Sequence, residues 1–216
     1  MTVRLHSGRG LALLLVLLVA MPAFAQFSSI DIRPFALATD QRFAAQSTFN
    51  AEFDSASARF WGGGVDVVVR RKIFVDLAIS RMSRTGQRFF VDNSGNVFHL
   101  GIASNVTITP VELSAGYRWR LRRIIPYAGV GVGWYHYQQV DDFSDPSENV
   151  DTTHIGFLAT GGVEFRMAKW VGITGDAQYT HVPGILGRNG LTSGSQQFGE
   201  SDLGGIAARV RVLVGK

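Results

Sequence analysis

The sequence predicts an all-β fold, an eight-stranded antiparallel up-and-down transmembrane β-barrel, and three observations carry that prediction. After residue 26, apolar residues alternate with polar or small ones in eight segments of about nine to twelve residues, the period of strands rather than helices. The links between those segments alternate between short and long, so a meander would gather the short turns at one end and the long loops at the other. No later run of apolar residues is long enough for a spanning helix, so a membrane-embedded chain would have to close into a barrel.

Residues 1–25 read as a cleaved signal peptide. Arg4 and Arg9 form a basic start, residues 11–20 are an uninterrupted apolar run, and Ala23-Phe24-Ala25 supplies the small-x-small cleavage pattern before Gln26. Ten to fifteen apolar residues make a helix of roughly 15 to 22 Å, short of a hydrocarbon core of about 30 Å. Residues 26–216 are then one exported barrel domain. The formal charge of +4 falls to +2 without Arg4 and Arg9, which is no nucleic-acid footprint. The absence of cysteine excludes a disulfide scaffold, a thiolate nucleophile, an iron–sulfur cluster and a lipoprotein anchor.

The strands are expected at 30–38, 60–70, 73–82, 106–120, 127–138, 155–166, 171–179 and 202–214. The clearest is 171–179, where Val171, Ile173, Ala177 and Tyr179 leave one side and Gly172, Thr174, Asp176 and Gln178 the other. Short links fall at 70–72, 121–125 and 167–169; long ones fall at 39–59, 83–105, 139–154 and 180–201. Turn chemistry marks the long links at Asp92-Asn93-Ser94-Gly95-Asn96 and at Gly187-Arg188-Asn189-Gly190. Pro34 and Pro110 remove ladder donors, so bulges are expected there, and Gly62-Gly63-Gly64 could hold another that flips the parity of Phe60 and Trp61.

Period alone does not say which face looks inward, because a soluble carrier barrel has the same alternation. The polar face collects six acids, Asp31, Asp66, Asp76, Glu112, Glu164 and Asp176, and six bases, Arg33, Arg118, Arg120, Arg166, Arg209 and Arg211. Gly64, Gly116, Gly129, Gly131, Gly133, Gly156, Gly162 and Gly172 share that face and would leave room for long side chains crossing a narrow lumen. Mixed, near-neutral charge suits an interior network, since buried charges must be paired. The apolar face carries Trp61, Trp134, Phe157 and Tyr179 toward the long loops, and Tyr117, Trp119 and Phe165 toward the short turns. Two aromatic girdles around an aliphatic band fit a bilayer, with the apolar face outward.

Several stretches resemble the small eight-stranded outer-membrane barrels of the OmpA-like and OmpW-like type. They are Val111-Glu-Leu-Ser-Ala-Gly-Tyr-Arg-Trp119, Ile125-Pro-Tyr-Ala-Gly-Val-Gly-Val-Gly-Trp134, Gly161-Gly-Val-Glu-Phe-Arg166 and Gly172-Ile-Thr-Gly-Asp-Ala-Gln-Tyr179. The resemblance implies residence in the cell outer membrane and two partners, outer-membrane lipid including lipopolysaccharide and the barrel-assembly machinery. Members usually end on an aromatic residue, whereas this sequence ends Val212-Leu-Val-Gly-Lys216, and the cell-wall anchoring of relatives with a peptidoglycan-binding domain is not expected.

Eight strands enclose a lumen just wide enough for side chains, which argues against a general porin. The reading is a structural or surface-interaction barrel whose lumen is plugged by the paired charges, with no enzymatic activity and no cofactor. Two alternatives stay open: a narrow channel for small ions or small apolar solutes, and lipid A acyl modification. For the second, His181-Val182-Pro183 stands where a related deacylase family has His-x-Ser, with Ser193, Ser195, Glu200 and Asp202 nearby. His99, His136, His154 and His181 are too dispersed for a metal site. The acids of 141–151, Asp141, Asp142, Asp145, Glu148 and Asp151, read as a solvated loop without the ligand order of a calcium site. Arg81, Arg84 and Arg88 crown the third strand as possible contacts for lipid A phosphates.

Overall fold

A computed structural model describes residues 30–92, 94–119, 121, 123–142, 149–186, 195 and 198–215. The expected signal peptide, Arg120, Asp145, Glu148, Ser193 and the 187–190 turn therefore lie outside the described residues. Eight antiparallel strands close into one barrel in sequence order, β1 (Ile30–Phe43), β2 (Ser57–Val69), β3 (Ile73–Val91), β4 (Val97–Arg118), β5 (Ile124–Asp141), β6 (Val150–Arg166), β7 (Val171–His181) and β8 (Gly205–Val214). Closure comes from β1 pairing with β8, Phe35 opposite Leu213 through Phe43 opposite Gly205. Closure leaves none of the eight strands as a free edge, the condition for crossing hydrocarbon.

The strands run further than the hydrophobic alternation suggests. β3 to β6 continue well past the outer girdle, while β7 and β8 stop near it. Most of the expected long loop 83–105 is a regular hairpin turning at 92–96. Just above the girdle its outer face is polar, with Thr85 and Asn105 2.6 Å apart and Thr107 donating to Ser83 at 3.2 Å, whereas Phe90, Phe98 and Leu100 are exposed nearer its tip. The polar outward residues Ser83, Thr85, Asn105 and Thr107 carry no apolar signal, so the alternation legible in the sequence stops at that point.

The bulges expected at the prolines and the glycine triplet are absent. β1 and β2 stay in register through Pro34–Val65 and across Gly62 to Gly64, so Phe60 keeps the inward parity of Asp66. Pro34 stands just below the first β1–β8 pair, where no ladder partner waits for its missing N–H. At Pro110 the β3–β4 ladder skips two positions and resumes unshifted at Met82–Ile108. The one shift in that ladder lies instead between Gln87 and Phe89, where β4 carries the surplus and Gly101 takes φ 68°. A single helix is described, α1 (Gln46–Phe53), inside the first long loop; it ends where Asp54 adopts the left-handed conformation at φ 56°.

The barrel is inverted relative to a soluble protein. Val130, Leu77, Ile79, Ile206 and Val210 are exposed in the outer band, while Arg33, Asp66, Asp76, Glu164, Arg209 and Arg211 are buried. All seven girdle candidates, Trp61, Trp134, Phe157, Tyr179, Tyr117, Trp119 and Phe165, stand exposed on the outer face, joined at the short-turn end by Trp170. Lumen glycines do make room, but chiefly for rings. A Cβ on Gly116 or Gly129 would come within 2.6 or 2.7 Å of Phe74, and one on Gly133 or Gly156 within 2.7 or 2.9 Å of Tyr135.

Candidate functional site

The lower level is built from inward positions of strands both adjacent and remote in sequence. Arg33 on β1 donates to both oxygens of Glu164 on β6, at 2.9 and 3.0 Å, and to Asp66 on β2. Glu164 also receives Arg118 from β4 and Arg166 Nε at 3.3 Å, so one carboxylate collects three guanidiniums. A second group centres on Asp176 of β7. It accepts Arg209 Nε at 2.5 Å, the Tyr127 hydroxyl at 2.6 Å and the Thr160 hydroxyl at 3.2 Å, with Arg211 Nε 3.3 Å away. Arg211 pairs with Asp76, donates to Tyr127 at 2.6 Å and Thr174 at 3.1 Å, and lies against the Phe35 and Tyr127 rings at 5.3 Å. Arg209 reaches Glu112 at 3.5 Å, and Glu112 also accepts Tyr135 at 2.6 Å and Gln178 at 2.9 Å.

Ten of the twelve charges read from the sequence thus meet in the lumen. Their charges are complementary: the Glu164 group carries three arginines and two acids, the Asp176 group three acids and two arginines. Asp31 is half-buried near the short-turn rim and enters no ion pair among the described residues, and Arg120 lies outside them. Tyr127, Tyr135, Gln178, Thr160 and Thr174 are partners that sequence reasoning missed. Parity places them inward, but an uncharged hydroxyl on a strand gives no further signal. The cavity among Arg33, Asp66, Arg118, Glu164 and Arg211 measures about 10 Å³.

The upper level is apolar. α1 folds into the long-loop mouth and stacks Phe49 on Phe43, centroids 3.9 Å apart, within a cluster that includes Phe53, Phe60, Met82, Ile108, Tyr137 and Leu203. The helix has no side-chain cap of its own. Glu200, from the last long loop, accepts Ser47 N at 3.0 Å, Thr48 N at 2.8 Å and the Thr48 hydroxyl at 2.8 Å. Partial burial disfavours the charged form of Glu200, but these hydrogen bonds outweigh it and hold the carboxyl below its usual range. Glu52 is buried and accepts the Ser104 hydroxyl at 2.8 Å. Burial pushes its carboxyl up to about 7; the Ser104 bond opposes the rise and nearby Asp141 adds to it.

Two of the three expected lipid contacts are engaged elsewhere. Arg84 has the inward parity of Met82; it donates to the carbonyls of Ser57 at 3.1 Å and Phe53 at 2.9 Å, its guanidinium 5.2 Å from the Phe53 ring. Arg88, beside the bulge, stands 3.9 Å from Asp141. Only Arg81 faces outward, beside Trp61. His181 and Asp202 do meet, Nδ1 to Oδ2 at 2.6 Å, while the other Asp202 oxygen accepts Val182 N at 2.7 Å and Gly204 N at 2.8 Å. Ser195 is buried, and its carbonyl accepts Glu200 N at 2.9 Å. His136 stands 3.7 Å from Asp151, and no group of three or more metal-ligating residues occurs among the described residues.

The family model described as outer membrane protein beta-barrel domain matches residues 11–200. No curated protein matches the sequence. Among solved structures, the N-terminal barrel domain of Pseudomonas aeruginosa OprF is similar at 12% identity and TM-score 0.50, over 86% of this chain and 97% of that one. Neisserial surface protein A is similar at 10% identity and TM-score 0.45, over 86% and 94%. Ail, the attachment invasion locus protein of Yersinia pestis, is similar at 10% identity and TM-score 0.44, over 87% and 96%.

Proposed function

Because the chain belongs to the family of outer membrane protein β-barrel domains, we propose that this outer-membrane protein is a sealed barrel with a structural or surface-interaction role. The observation that supports the reading is a charge network spanning the lumen beneath a packed apolar cluster. A permeant ion would have to separate guanidinium–carboxylate pairs in a low dielectric and then displace packed phenylalanines, both costly steps. Recognition then belongs to the long-loop end, where β3 to β6 stand clear of the lipid.

The chain is no enzyme in this reading. The His181–Asp202 pair fastens the two ends of the last long loop, since Asp202 also holds the backbone at Val182 and Gly204. Lipopolysaccharide of the outer leaflet is a partner met by the wall near Trp61, and the barrel-assembly machinery is met in transit. Purified protein inserted in planar bilayers should show no unitary conductance over many insertions. Reproducible discrete steps would replace this reading with a narrow channel. Lipid A from cells with and without the protein should show the same acyl pattern by mass spectrometry.

A further inference from the structure

Among the described residues, the upper barrel wall opens between β2 and β3. The β2–β3 ladder runs from Val69–Ile73 to Trp61–Arg81 and ends there, although both strands continue upward, β2 paired with β1 to Ser57 and β3 paired with β4. Between the diverging strands lies a cavity of about 440 Å³ lined by Asp40, Ser55, Ser57, Arg59, Ser83 and Arg84, with Met82 and Ala58 beneath. Its size is that of a small-ligand site. Arg84 bridges the split on its inner side by binding the carbonyls of Ser57 and Phe53, while Asp40, Arg59 and Ser83 line this notch from the exposed outer face.

Depth decides what the notch meets. Trp61, 65% exposed, belongs to the outer girdle. Arg59 stands two residues above it on the same outward face, roughly 7 Å along the strand, which is headgroup depth. Arg81 flanks Trp61 and enters no ion pair among the described residues. Arg59 meets Asp40 through Nε alone, at 3.4 Å on an exposed surface, a weak pair that leaves its terminal nitrogens for another anion.

We propose that this notch binds the phosphorylated headgroup of an outer-leaflet glycolipid. Arg59 and Arg81 pair with phosphate, the Ser57 and Ser83 hydroxyls serve sugar hydroxyls, and the acyl chains descend along the wall past Trp61. Guanidinium fits phosphate bidentately, and serines set between two arginines suit a phosphosugar better than a bare phospholipid. The site rests on the reading of lipopolysaccharide as a partner but not on whether the lumen is sealed, so the conductance test and the one below fail independently.

The test uses the full folded chain in nonionic detergent, with native mass spectrometry and titration against diphosphorylated lipid A, fully dephosphorylated lipid A, phosphatidylglycerol and inorganic phosphate. One diphosphorylated lipid A should be retained per barrel, with an affinity about tenfold above that for the dephosphorylated form. Arg59→Gln combined with Arg81→Gln should remove that preference, Ser83→Trp should weaken binding by filling the notch, and Arg123→Gln on the opposite rim should change nothing. Heat-modifiable gel mobility checks that each variant is folded. Unchanged lipid A binding by both the arginine pair variant and Ser83→Trp would overturn the site. Equal retention of phosphatidylglycerol, or displacement by millimolar inorganic phosphate, would overturn the assignment to a phosphosugar headgroup.

Discussion

Glu52 binds its proton more tightly in the folded plug than in an unfolded chain, because burial raises its carboxyl to about 7. The plug therefore has its full stability below the ordinary glutamate range and loses it as pH rises through about 7, a loss on the order of 3 kcal/mol. Hydrogen exchange at the amides of α1 should quicken between pH 5 and pH 8 beyond its intrinsic base dependence, and Glu52→Gln should flatten that excess; an unaltered excess in the variant would assign it to another group. Arg33→Met deprives Asp66 of its ion-pair partner while Glu164 keeps Arg118 and Arg166. It should cost about 3 to 5 kcal/mol, read as a lowered urea midpoint in lipid vesicles, and adding Asp66→Leu should recover part of that loss. Which charges point inward was legible because strand parity sorts them. Which charge meets which was not, since Arg33 and Glu164 are 131 positions apart. Arg84 shows the same limit: its even number gives it the inward parity of Met82, yet its type alone suggested a surface role.

The helix α1 was the element least visible beforehand. Eight residues are too few to hold a helix in isolation, and its N-terminal amides are satisfied by Glu200, about 150 residues away. Its apolar residues Phe49 and Phe53 repeat at helical spacing but inside a segment with no capping signal. Replacing residues 46–53 by a Gly-Ser linker should leave the barrel heat-modifiable on gels. It should also leave planar bilayers silent, because the charge network below is untouched; steady conductance in this variant would make α1 the sole seal. The upper halves of β3 to β6 were hidden for a different reason. Above the lipid both faces of a strand can be polar or packed by loops, so periodic apolarity fades although hydrogen bonding continues.

For the whole molecule, inversion is the property on which the other readings depend. Val130 is 68% exposed in the middle of the outer band. Val130→Arg should destabilise the folded barrel by about 2 to 4 kcal/mol in lipid vesicles, measured by urea titration, whereas an equal stability would mean that this face does not see hydrocarbon. The amino-acid sequence by itself determined the strand number, the antiparallel meander and the sorting of charges from aliphatics, because all three are local consequences of a two-residue period and of where that period breaks. Only the tertiary structure decided the pairing of the lumen charges, the seating of α1, the location of the bulge and the split between β2 and β3. Those depend on distances across a closed barrel, which register and tilt set jointly around all eight strands and no single segment encodes.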